Sequence, residues 1–141
     1  MPYQTIAGFK YALDVFNAIG GTRATEEHAA RLRDRTRRGI VELAVRYEGL
    51  KILSPTVEDV SSSLLTISLP SQFSKKDVNH RLHEEYDMVV KELHDMEGGS
   101  PLIQNCLRLS HHIYTDESDV DTFLNALEVI LDSMSAEDGD S

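Results

Sequence analysis

Leu107-Arg108-Leu109-Ser110-His111-His112-Ile113-Tyr114, followed by Thr115-Asp116-Glu117-Ser118-Asp119-Val120-Asp121, changes its hydrophobic period midway. Leu107 and Leu109 alternate with Arg108 and Ser110, so residues 107–110 read as a strand with the leucines on one face. Beyond it, Val120, Phe123, Leu124, Leu127, Ile130, Leu131 and Met134 recur at three and four residues and predict a long terminal helix. Thr115 or Asp116 stands where a side-chain oxygen can cap that helix.

Working upstream, Ile6, Phe9, Leu13, Phe16 and Ile19 mark one stripe of a first helix, stopped at Gly20-Gly21. A longer helix is predicted from Thr25 to Glu48, with Ala29, Leu32, Ile40, Leu43, Ala44 and Tyr47 inward. Gly39 inside it costs about 1 kcal/mol relative to alanine and points to a close helix contact. Gly49 ends that helix. Leu50–Leu53 alternates as a short strand, Thr56–Ser63 reads as a loop, and Leu64–Leu69 is the best strand, closed by Pro70. Ser74 with Asp77 gives a capping signal for a helix to Tyr86, with Val78 and Leu82 inward. Met88–Lys91 reads as a third strand and Gly98–Pro101 as a loop. Short strands in pairs with helices between them predict an α+β fold. Its sheet is small, four-stranded and mostly antiparallel, with helices on one face and a long helix pair at the N-terminus.

The 141 residues suit one domain of ordinary size, 40% hydrophobic and 27% charged. No apolar run approaches the roughly 18 residues of a membrane span, and the first residues lack the features of a secretory signal. Cys106 is the single cysteine, which excludes an internal disulfide and a thiolate metal cluster and leaves cytoplasm as the default. A formal charge of −10 argues against a nucleic-acid partner. Arg31, Arg33, Arg35, Arg37 and Arg38 run against that charge but spread over a wide arc. With Glu26, Glu27, Asp34 and Glu42 nearby, they read as a solvated helix face. Phosphate or RNA binding by this helix is the weaker alternative.

Phosphate loops, nucleophile elbows and zinc-protease motifs are absent. His80 and His83 stand three apart on a predicted helix, a spacing that suits a metal but is common on plain surface. His111 and His112 point to opposite faces of a strand end and do not share an ion easily. Cys106 reads as a buried small residue, not a nucleophile. Arg108 is a lone cation in an otherwise apolar strand. It is either solvated or paired with a carboxylate, or it offers a planar fork of donors to a substrate carboxylate. Periodicity does not decide between these.

The stretch from Arg108 to Asp121 closely resembles the C-terminal signature of class V aminotransferases, a family that includes cysteine desulfurases and isopenicillin N epimerase-like proteins. That signature has an arginine, a serine two residues on, a Tyr-Asn-Thr start to the last helix and an acidic-Val/Ile-Asp turn within it. Thr115-Asp116 departs from the usual Asn-Thr, but both pairs can cap a helix. Tyr3–Gly21 and the later strands follow the family's order at lower specificity. The resemblance implies the small domain of a fold-type I pyridoxal-phosphate enzyme. Residues 1–21 would be a helix from the end of the large domain, 22–134 the small domain, and 135–141 a disordered acidic tail.

By the same resemblance, Arg108 grips the α-carboxylate of an amino-acid substrate. The complete enzyme would be a cytoplasmic homodimer performing transamination, epimerisation or lyase chemistry with pyridoxal phosphate. The lysine that holds the cofactor lies in the family's large domain. Lys10, Lys51, Lys75, Lys76 and Lys91 lack its Ser-x-His-Lys setting. This chain is therefore expected to hold no cofactor covalently, to be inactive alone, and to derive from a truncated or split gene. Cys106 is also misplaced for the desulfurase nucleophile. The rival reading is a non-catalytic, stand-alone α/β protein-interaction module, which would lack affinity for amino acids. The fragment reading predicts instead an exposed apolar patch on the first helix.

Overall fold

The alternation at Leu107 and Leu109 is realised in a central strand of an antiparallel sheet. The computed structural model describes residues 3–57, 61–93 and 104–139, so the Gly98–Pro101 loop lies outside the described residues. The elements are α1 (Tyr3–Ala18), α2 (Gly21–Ala44), β1 (Lys51–Ile52), β2 (Leu64–Ser68), α3 (Lys75–Tyr86), β3 (Lys91–Glu92), β4 (Cys106–Ser110) and α4 (Glu117–Gly139). The sheet runs β1-β2-β4-β3, antiparallel throughout, with two-residue strands on both outer sides. This is the α+β architecture that the order of elements implies.

Register decides which face is buried. Leu65 pairs with Leu109 and Ile67 with Leu107, which places four aliphatic side chains on one face. Ile40 and Leu43 of α2, Val78 and Leu82 of α3, and Phe123, Leu127 and Ile130 of α4 join them in one core. Each such side chain, fully buried, contributes about 1.5–3 kcal/mol. Leu64, Thr66 and Ser68 of β2, with Cys106, Arg108 and Ser110 of β4, alternate to the opposite face, away from these helices.

Helix ends follow local chemistry. Ser74 Oγ accepts the Asp77 N–H at 3.4 Å and starts α3 where expected. At α4, Asp116 Oδ1 accepts from Asp119 N–H at 2.9 Å, and Asp119 Oδ2 accepts from Asp116 N–H at 2.8 Å. The Ser118 hydroxyl, which also donates to Asp116 Oδ1, and then the Asp119 N–H of this cap hold the Asp116 carboxyl below its usual range. Nothing breaks α4 at Met134. It continues to Gly139, with Ser135 Oγ donating to Leu131 O, where sequence composition suggested a tail.

Two further boundaries differ from expectation. α2 ends at Ala44, because Val45 and Arg46 N–H groups reach carbonyls three residues back and tighten the last turn. The third strand starts at Lys91 and not at Met88, since the Met88 N–H donates to Leu82 O at the end of α3. Gly39 faces α4 as expected: a Cβ there would overlap the methyl groups of Leu124.

α1 stands apart from this core, and none of its described side chains belongs to it. It turns into α2 through Gly20 and Gly21, whose φ values of +106° and +64° favour glycine. Ile6, Phe9, Leu13 and Ile19 remain exposed, Phe9 by 66%. No described helix is long and apolar enough to cross a membrane.

Candidate functional site

Arg108 sits at the middle of β4, with Thr66 of β2 on one side and Lys91 of β3 on the other. Its neighbours Leu107 and Leu109 point to the helices, so the guanidinium belongs to the opposite face, which is helix-free among the described residues. The residue is half-buried, and its Nε is buried without a hydrogen-bond partner among the described residues. None of the ion pairs among the described residues includes Arg108 or Lys91. Of the three sequence alternatives, pairing with a described carboxylate is thus removed. A buried polar group without a partner costs about 1–3 kcal/mol, and more when charged.

Two anchors hold this strand in place. Asn105, at φ +56°, donates through Nδ2 to the carbonyls of Leu69, Pro70 and Phe73, while its Oδ1 accepts from the Lys75 N–H. It thereby ties the entry of β4 to the start of α3. At the other end, the buried His111 bridges Thr36 Oγ1 (2.8 Å from Nε2) and Ser63 O (2.9 Å from Nδ1). Ser63 O can only accept, so Nδ1–H donates to it, while the one proton of the Thr36 hydroxyl is shared between Leu32 O at 2.9 Å and the neutral Nε2. Burial, helped by the nearby Arg33 charge, holds the His111 pKa below its ordinary value.

The other sequence candidates scatter. His112 is exposed and stacks on Tyr114 with ring centroids 5.1 Å apart, so the adjacent histidines do diverge. Cys106 shares the Arg108 face but is fully buried, its Sγ donating to Gln104 O at 3.2 Å. His80 and His83 are exposed on α3, and among the described residues no three His, Cys, Asp or Glu side chains gather around one point.

The arginines of α2 are not one solvated face. Arg33 is buried, bonded to Asp34 Oδ1 and Ser62 O. Arg35 grips Asp121 of α4 with two bonds of 2.7 Å, and Arg37 donates to Pro55 O. Farther along, Arg46 pairs with Glu128 and Asp132, and Tyr47 OH donates to Asp132 at 2.5 Å. Burial first, then the Asp132 bond, push the Tyr47 hydroxyl up to about 12. Arg35, Arg46 and Tyr47 thus tie α2 and the turn after it to α4, while Arg33 and Arg37 tie α2 to Ser62 and Pro55.

No family model and no curated protein matches the chain. Solved structures do match its fold. A NifS-like protein is 27% identical, with a TM-score of 0.60 over 75% of this chain and 28% of its own. Alanine–glyoxylate aminotransferase from Nostoc sp. is 20% identical, with a TM-score of 0.59 over 86% of this chain and 29% of that one. A variant of C-DES, carrying glycine linked covalently to its pyridoxal-phosphate cofactor, is 17% identical with a TM-score of 0.63, over 83% and 26%. The chain thus spans a little over a quarter of the length of the proteins whose fold it shares.

Proposed function

We propose that this chain is the substrate-carboxylate side of a pyridoxal-phosphate enzyme of the class V aminotransferase type. Arg108 would receive the α-carboxylate of an amino acid. One observation carries the reading: a half-buried guanidinium, its Nε unsatisfied, stands on the helix-free sheet face at the position where the sequence resemblance expects a carboxylate grip. A planar fork matches a carboxylate with two parallel bonds, which fixes orientation as well as position. The neighbouring backbone stiffens that fork, since Asn105 and His111 pin both ends of β4.

In the complete enzyme pyridoxal phosphate would supply an electron sink for chemistry at the amino acid's α-carbon. Among the described residues, those of the Arg108 face fit the substrate end of such a site, and we assign none of them to the cofactor. On this reading residues 1–21 are a helix from the neighbouring large domain and 22–134 form the small domain. The apolar exposure of α1 outside the core favours that division. Transamination, epimerisation and lyase chemistry all use the same carboxylate grip.

The test is an NMR titration of the whole 15N-labelled chain with butyrate and L-alanine, following the Arg108 Nε–H resonance. Saturable shifts that disappear in Arg108→Gln would support the reading. An unresponsive resonance, or shifts that survive the substitution, would leave the stand-alone interaction module as the better account.

A further inference from the structure

A single carboxylate needs only Arg108, yet a second cation is set beside it. Lys91 is the direct cross-strand partner of Arg108. Glu92, the next residue, turns toward α3, where its Oε1 accepts from Asn79 Nδ2 at 2.8 Å. Strand alternation therefore sends Lys91 to the helix-free face with Arg108. Partners in such a pair have Cβ atoms about 4.5–5.5 Å apart, and like charges so placed repel. The usual remedy is a neighbouring carboxylate, but neither cation forms an ion pair among the described residues. The third position in this row, Thr66, is neutral. Glu92 is held on the other side of the sheet by Asn79.

Repulsion between two unneutralised cations falls when an anion of matching charge spans both. We propose that Lys91 is a specificity residue: it receives the second acidic group of a ligand whose first carboxylate is docked on Arg108. The site then prefers α,ω-dicarboxylates, and among amino acids those with an acidic side chain, over monocarboxylates. This inference rests on the reading of Arg108 as the carboxylate dock. The two residues divide the work, Arg108 fixing orientation through its fork and Lys91 acting as a point charge on a flexible stem.

Glutarate, butyrate and inorganic phosphate are titrated at low salt into the whole labelled chain, and into Lys91→Gln, Lys91→Arg and Arg108→Gln. The wild-type chain should bind glutarate tighter than butyrate by on the order of fivefold, the size of one half-exposed ion pair. Lys91→Gln should keep the butyrate affinity and lose the preference, and Lys91→Arg should restore it. Equal binding of both acids at Arg108 overturns the role of Lys91 and leaves the Arg108 reading intact. Tighter binding of phosphate than of glutarate overturns the dicarboxylate assignment. If neither acid moves the Arg108 resonance, or if Arg108→Gln changes nothing, both readings fall together. The amide dispersion of each variant reports whether it folds.

Discussion

At the scale of single residues, two side chains set the chain's response to its surroundings. Among the described residues the Arg108 Nε has no hydrogen-bond partner, so it opposes stability, and on the proposed reading the same group receives a carboxylate. Arg108→Met keeps the stem and removes the guanidinium. The urea midpoint of that variant should rise by the equivalent of about 1 kcal/mol while the response to carboxylates vanishes. A lower midpoint would show instead that the guanidinium is paired in solution. His111 works in the other direction. Its pKa lies below the ordinary 6.5, because burial disfavours the charged ring. The unfolded chain then binds more protons than the folded one as pH falls through that range. The contribution of His111 is complete above 6.5 and is lost toward its folded value. Urea midpoints measured between about pH 7.5 and 5 should therefore decline, and His111→Gln should flatten the slope. The carboxyls held low, such as Asp116 and Asp132, lose their contribution only at more acidic pH. An unchanged slope in His111→Gln would exclude the ring as the source.

At the scale of elements, α2 and α4 approach closely at Gly39. Alanine there gains about 1 kcal/mol of helix propensity, but its methyl overlaps Leu124, and overpacking costs about 1–3 kcal/mol. Gly39→Ala should therefore lower stability, and Leu124→Ala in the same chain should recover the propensity gain. A double-mutant cycle with no coupling would mean that the helices do not touch there. This contact was legible because glycine inside a helical stripe has few other reasons to exist. So were α3, α4 and β4, whose caps and periods lie within a few neighbouring residues. Bonds between distant segments were not legible. Thr36 meets His111 across 75 positions and Arg35 meets Asp121 across 86, and no local pattern announces either pair. Arg33 looked like its solvated neighbours because only the arrival of Ser62 makes a buried place for it. Val89 and Val90 suggested an early strand by β-propensity, yet Val89 is 88% exposed and pairing begins only at Lys91. The facing of Arg108 was readable from alternation, whereas its register with Lys91 was not.

At the scale of the whole molecule, the exposed apolar side chains of α1 should set how the protein associates in solution. Because Ile6 and Phe9 are exposed and lie outside the core, replacing them by lysine and glutamate should leave the urea midpoint within about 0.5 kcal/mol. The same change should reduce the binding of a hydrophobic dye and slow self-association, both readable by fluorescence and light scattering. A large drop in midpoint would place α1 in the cooperative unit instead.

The narrow rims of the sheet shape what such self-association can be. Among the described residues its borders are Lys51–Ile52 and Lys91–Glu92, with a lysine in each, and so short a row of amides is a poor template for a foreign strand. Clumping of this protein should therefore be amorphous and reversible by detergent, without the thioflavin signal of a growing fibril.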